Sequence, residues 1–170
     1  DVHISMIYSN LGLIYYQLNK HQEAVEFHQK ALEHRLQNLD PDHPHIGNSY
    51  VNLGHLRRNQ GKVEIAQEYY KKALEIYIKN FGENHPDVAR VYSNMGVIFG
   101  NQKDYDKSIE YFKKAFDIHK AIYEKGTLET AKTLNNLGNV CNQKGDHEKA
   151  KEYLKEAVEI VSKQYGDDHE

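Results

Sequence analysis

Asn-Leu/Met-Gly recurs four times at one spacing. It stands at Asn10-Leu11-Gly12, Asn52-Leu53-Gly54, Asn94-Met95-Gly96 and Asn136-Leu137-Gly138, each copy 42 residues after the last. Two small-residue positions keep the same phase: Ala24, Ala66, Ser108 and Ala150, then Ala31, Ala73, Ala115 and Ala157. A fixed period of this length marks a repeat array, in which each repeat buries its apolar face mainly on its neighbours. Four repeats, at about 3–44, 45–86, 87–128 and 129–170, use essentially all of the 170 residues. No room remains for a separate catalytic domain.

Each repeat reads as two helices. In the second repeat Ile46, Tyr50, Leu53 and Leu56 follow the spacing of an amphipathic helix, predicted over about 46–59. Gly61 then offers a residue able to take a positive φ where that helix stops. Its equivalents are Asn19, Lys103 and Gly145, of which Lys103 suits a left-handed cap poorly. A second helix follows, with Ile65, Tyr69, Ala73, Ile76 and Tyr77 expected on its inner side and its end near Phe81-Gly82. His43-Pro44 and His85-Pro86 break the chain between repeats, because proline resists helix before it. The third break, at Gly126-Thr127-Leu128, has no proline, which predicts a more continuous or more mobile junction. Small residues at Ala24, Ala31 and Gly12 let the two helices approach closely. Ser108 is small enough to replace Ala there, and its hydroxyl is expected to bond a carbonyl one turn back.

The pattern Tyr8, Leu11-Gly12, Tyr15, Ala24 and Ala31 resembles the tetratricopeptide repeat, and it covers all four units. That motif usually has a period of about 34 residues. The longer form here, with Asn before Leu-Gly and His-Pro between units, is similar to the repeats of kinesin light chains. It also resembles those of nephrocystin-type proteins and of tetratricopeptide receptors with nucleotide-switch domains. Three positions depart from the pattern: Arg57 and Cys141 stand where Tyr15 and Phe99 sit, and Leu134 replaces Tyr8, Tyr50 and Tyr92. The resemblance implies an all-α fold, a right-handed α-solenoid of four helix-turn-helix units. It further implies first helices along a concave face, second helices as the outer wall, and a protein-binding rather than enzymatic role.

Stepping −4, +3 and +7 from each Asn stays on one helical stripe. The stripes are Met6-Asn10-Leu13-Gln17, Asn48-Asn52-His55-Asn59, Arg90-Asn94-Val97-Asn101 and Lys132-Asn136-Asn139-Gln143, with no Asp or Glu among them. Asn is a mediocre helix former, and its amide can match a peptide group with both donor and acceptor. One reading is therefore a ladder that bonds the backbone of an extended, acidic-leaning peptide. Asn10, Asn48, Asn52, Asn59, Asn94, Asn101, Asn136 and Asn139 then contact the peptide, Arg90 and Lys132 meet carboxylates, and His55 and Val97 shape pockets between rungs. Arg58 flanks the stripe. The other reading leaves these residues solvated or bonded to neighbouring side chains between units, in a structural or regulatory array that packs on other domains or self-associates.

Composition narrows the partners. A formal charge of −3 with interspersed signs argues against nucleic acid and anionic membrane. No apolar run is long enough to span a bilayer, and the lone Cys141 allows no internal disulfide, so the cytoplasm is the expected setting. The regular places of His43, His85 and His169 suggest junction caps rather than metal ligands, and His45 beside them fits no ligand spacing. No catalytic residue, metal or cofactor is expected, and a monomer is. The absence of a polar capping helix after Gly166-Asp167-Asp168-His169-Glu170 predicts a fragment of a longer array, or an end masked by a partner.

Overall fold

The computed structural model describes residues 2–123 and 126–165. Eight helices follow one another: α1 Val2–Gln17, α2 His21–Asn38, α3 Pro44–Asn59, α4 Val63–Phe81, α5 Pro86–Asn101, α6 Tyr105–Ile122, α7 Leu128–Lys144 and α8 His147–Tyr165. No strand occurs among the described residues, and the protein is an all-α helical repeat array. The helices fall into two compact halves, Asp1–Gly82 with α1 to α4 and Glu83–Glu170 with α5 to α8. His169 and the segment around it lie outside the described residues.

One turn, used four times, folds each first helix back onto its second. Asn19, Gly61, Lys103 and Gly145 all take positive φ, at 59°, 73°, 63° and 92°. The amide one residue later reaches back five positions in every case, Lys20 to Tyr15, Lys62 to Arg57, Asp104 to Phe99 and Asp146 to Cys141, each at 2.9 Å. This is the Schellman closure, which satisfies carbonyls that a helix end otherwise leaves unpaired. Lys103 does adopt the strained geometry. Replacing it with glycine, Lys103→Gly, should raise stability by about 1 kcal/mol, the strain relieved less the extra chain entropy of glycine. Urea unfolding checks this, and a loss of stability would show that the Lys103 side chain contributes more than its backbone costs.

Between repeats the histidines cap helices. His43 Nδ1 accepts from the His45 amide at 3.1 Å and His85 Nδ1 from the Asp87 amide at 3.2 Å, with Pro44 and Pro86 as the first helical residues. The third break is not a continuous helix. Thr127 and Thr130 form a reciprocal capping box that starts α7 without proline.

Inside each repeat the small residues do what their phase predicts. Ala24, Ala31, Ala66, Ala73, Ser108 and Ala115 are fully buried, and Ala150 and Ala157 nearly so. The Ser108 hydroxyl, however, donates not to its own helix but across to the Gly96 carbonyl of α5, at 2.7 Å. The tripeptide glycine meets a different position altogether. A Cβ at Gly12, Gly54, Gly96 or Gly138 would lie 2.6 to 3.0 Å from His28, Tyr70, Phe112 or Leu154 respectively. The buried stripe of α4 is accordingly Ala66, Tyr70, Ala73, Ile76 and Tyr77, while Ile65 is exposed and Tyr69 half-buried. Tyr69 instead stacks on Tyr50, as Phe27 stacks on Tyr15 and Tyr111 on Phe99. Such pairs contribute roughly 0.5–1.5 kcal/mol each beyond area burial. In the last repeat Leu134 and Cys141 take the aromatic places and are both buried.

Candidate peptide-binding surface

In the second half α5, α6 and α7 enclose a cleft of about 390 Å³. The heptad-like spacing of α5 turns Val88, Val91, Met95 and Ile98 into the core, which leaves Arg90, Ser93 and Asn94 on the cleft wall. On α7 the same logic buries Ala131, Leu134 and Leu137 and presents Glu129, Lys132, Thr133 and Asn136. His119 and Tyr123, from the end of α6, complete the lining. Four residues expected from the sequence, Arg90, Asn94, Lys132 and Asn136, therefore share one cavity. Asn94 and Asn136 are half-buried, and their side-chain amides make no hydrogen bond among the described residues.

The two cations are already partnered. Arg90 binds the Asp87 carboxylate and Lys132 that of Glu129, at 2.7 and 2.8 Å. Both acids line the cleft and sit three residues before their partner, one turn ahead of the stripe's first position. The cleft thus has balanced charge rather than a positive bias. Burial lowers the pKa of His119, with the Glu129 charge opposing. Its Nδ1 lies 3.3 Å from the Thr133 hydroxyl, which in turn donates to the Glu129 carbonyl at 2.9 Å.

In the first half the stripe divides. Asn10 is exposed and Asn52 half-buried, both without a side-chain hydrogen bond among the described residues. Asn48 accepts from the Tyr77 hydroxyl at 2.6 Å, so its carbonyl serves the fold. Asn59 donates to the Tyr16 hydroxyl at 2.8 Å and lies 3.3 Å from His55 Nε2. The Tyr16 and His55 rings are 5.8 Å apart. Burial, then the Arg58 charge, lowers the pKa of His55, which keeps it neutral near pH 7.

Three expected residues go elsewhere in the second half. Val97 packs on the core cluster of Phe112, Leu137 and Val140. Asn101 is exposed at the end of α5. Asn139 borders a separate groove along α7 and α8, beside Leu154 and Val158. Sequence reasoning missed Ser93, Thr133 and His119. The last lies on a second helix, yet its repeat position changes from Arg35 to Tyr77 to His119 while the neighbouring Ala31, Ala73 and Ala115 stay constant, a contrast visible in the chain.

The chain belongs to the tetratricopeptide repeat family, which matches residues 3–77, 45–121 and 129–170. Repeats of this family mediate protein–protein interaction and typically act as non-enzymatic scaffolds. The fold is similar to the crystal structure of BtubC (BKLC) from P. vanneervenii, at a TM-score of 0.89 and 28% identity. That similarity covers 98% of this chain but 66% of BtubC, so the chain spans just under two thirds of that relative. It is also similar to nearly identical TPR-like repeats from a Podosopora anserina protein described as a kinesin light chain, at a TM-score of 0.81 and 20% identity over 96% of this chain and 78% of that one. The apo form of RapI is similar at a TM-score of 0.82 and 18% identity, covering 96% of this chain and 58% of RapI. No curated protein matches the sequence. Among the described residues no helix is long and apolar enough to cross a membrane.

Proposed function

We propose that the chain is an interaction scaffold whose Asn faces bind an extended, acidic-leaning peptide through its backbone. The observation that carries this reading is the pair Asn94 and Asn136, half-buried in one cleft with their amides unused by the fold. An amide held at that depth offers a donor and an acceptor to a peptide group in a partly desolvated setting, where such a bond counts for more than in water. Arg90 and Lys132 contribute less. A ligand carboxylate reaches them only by exchanging with Asp87 and Glu129, and exposed ion pairs contribute little. The lone buried thiol of Cys141, whose pKa burial raises, fits a protein of a reducing, cytoplasmic setting.

Asn94→Ala and Asn136→Ala should each weaken binding by about 1 kcal/mol or more while leaving the thermal midpoint nearly unchanged. The measurement is titration of a labelled acidic peptide library at two ionic strengths, with melts run beside it. Joint replacement of Arg90 and Lys132 by alanine should give a smaller loss that fades at high salt. If the Asn variants unfold the protein without a separable binding loss, the amides are structural and the reading fails.

A further inference from the structure

The second-helix position that brings His119 into the cleft is occupied in the first half by Arg35. Arg35 is 7% exposed and reaches from α2 to both neighbouring helices. Its Nη1 donates to Ser49 Oγ and, at 3.2 Å, to the His45 carbonyl of α3; its Nη2 donates to Ser9 Oγ of α1 at 3.1 Å. All three acceptors are neutral, and no carboxylate pairs with it among the described residues. Nε has no partner among the described residues either. A guanidinium carries five N–H donors. The two left over are on Nε and Nη2, the nitrogens that flank one edge of the plane, the edge that a carboxylate can take bidentately. Buried charges are ordinarily matched by a counter-charge or bonded through all their donors. Arg35 has neither.

Its surroundings repeat the cleft with both ion pairs removed, since Met6 and Asn48 stand at the positions of Arg90 and Lys132. Ser9, Asn10, Ser49 and Asn52 stand 84 residues before Ser93, Asn94, Thr133 and Asn136, and the Arg35–Ser49 bond repeats the His119–Thr133 contact. The positions of Asp87 and Glu129, however, hold His3 and His45. The positive potential is felt locally: after burial, Arg35 helps to lower the pKa of His28, and after burial and His43 that of His45.

We infer that Arg35 is the carboxylate-recognition site of this surface: an aspartate or glutamate side chain of the bound peptide enters between α1 and α3 and takes the Nε–H and Nη2–H edge. Asn10 and Asn52 hold the adjacent peptide groups. A charge-assisted bond is about twice as strong as a neutral one, and the carboxylate takes donors that the serine contacts leave over, so those contacts stay in place. The inference rests on the peptide-binding reading and moves its acidic recognition from Arg90 and Lys132 to Arg35.

The test uses the full chain and two labelled, C-terminally amidated peptide pools, one rich in Asp and Glu, the other with Asn and Gln in their place. The acidic pool should bind at least tenfold tighter, and Arg35→Met should erase that preference while the chain still melts cooperatively. Arg35→Lys, which keeps the charge but loses the fork, should retain only part of it. In the unsubstituted chain the Arg35 Nε–H resonance should shift with the acidic pool and stay fixed with the neutral one, a readout that needs no variant to fold. Acidic preference that survives Arg35→Met, or an unmoved Nε–H signal at saturation, overturns the assignment. Equal binding of both pools that still depends on the Asn residues overturns it alone. Failure of both pools to bind removes the peptide-binding reading as well.

Discussion

Acidification from pH 8 to pH 4 should cost the protein about 3 kcal/mol through His28, and His28→Phe should remove most of that loss. His28 is 2% exposed on α2, with its ring against Gly12. Burial, and secondarily the Arg35 charge, lowers its pKa from 6.5 to about 4. The unfolded chain therefore takes up a proton near pH 6.5 that the folded chain refuses until about pH 4. Stability is complete above the unfolded value, falls through that window as the pH drops, and levels off below it. Phenylalanine suits the site because Phe112 fills the equivalent place against Gly96. His28 Nδ1 has no hydrogen-bond partner among the described residues, so its loss strands nothing there. Urea unfolding of both proteins at pH 8 and pH 4 decides the matter. Carboxylates titrate near the lower limit too, so the informative quantity is the difference between the two proteins. Parallel pH profiles would show that His28 protonates without harm.

What the sequence made legible was whatever the period repeats. The eight helices, the four left-handed turn residues and the buried alanines all follow from positions 42 apart. Less legible was anything that depends on a rotation of one residue about a helix axis. Tyr69 and Tyr70 are adjacent aromatics, and periodicity alone does not say which faces Gly54; the close approach selects Tyr70. The Arg90–Asp87 and Lys132–Glu129 pairs escaped because their acids continue the stripe one turn before its first position, Arg90 or Lys132. Asn48 and Asn59 looked like Asn52, but tyrosine hydroxyls from neighbouring helices claim them. Arg35 and His119 were missed for another reason. The resemblance assigned second helices to the outer wall, whereas the last turns of α2 and α6 reach the first-helix surface.

Gly54→Ala should destabilise the protein by about 2 kcal/mol, although alanine is the better helix former. The added methyl would stand 2.8 Å from Tyr70 Cε1 and 3.0 Å from Cδ1, and Tyr70 is fully buried, so the ring has nowhere to retreat. Overpacking of this kind costs roughly 1–3 kcal/mol, occasionally more, against which helix propensity returns about 1. Gly138→Ala offers the contrast. There the methyl meets the Leu154 side chain at 2.7 Å, but Leu154 is only half-buried and borders the open groove along α8. It can rotate outward, which leaves the Ala150 carbonyl at 3.2 Å as the remaining obstacle, so the cost there should be smaller. A cycle pairing Gly54→Ala with Tyr70→Leu isolates the contact. Once the ring is gone, the same methyl should cost at least about 1 kcal/mol less than it does beside Tyr70, the coupling expected of residues in direct contact. Urea midpoints of the four proteins measure it. Additive costs would mean that the clash is absorbed by the backbone rather than by the ring, and that the glycine is required for the approach of the helices themselves.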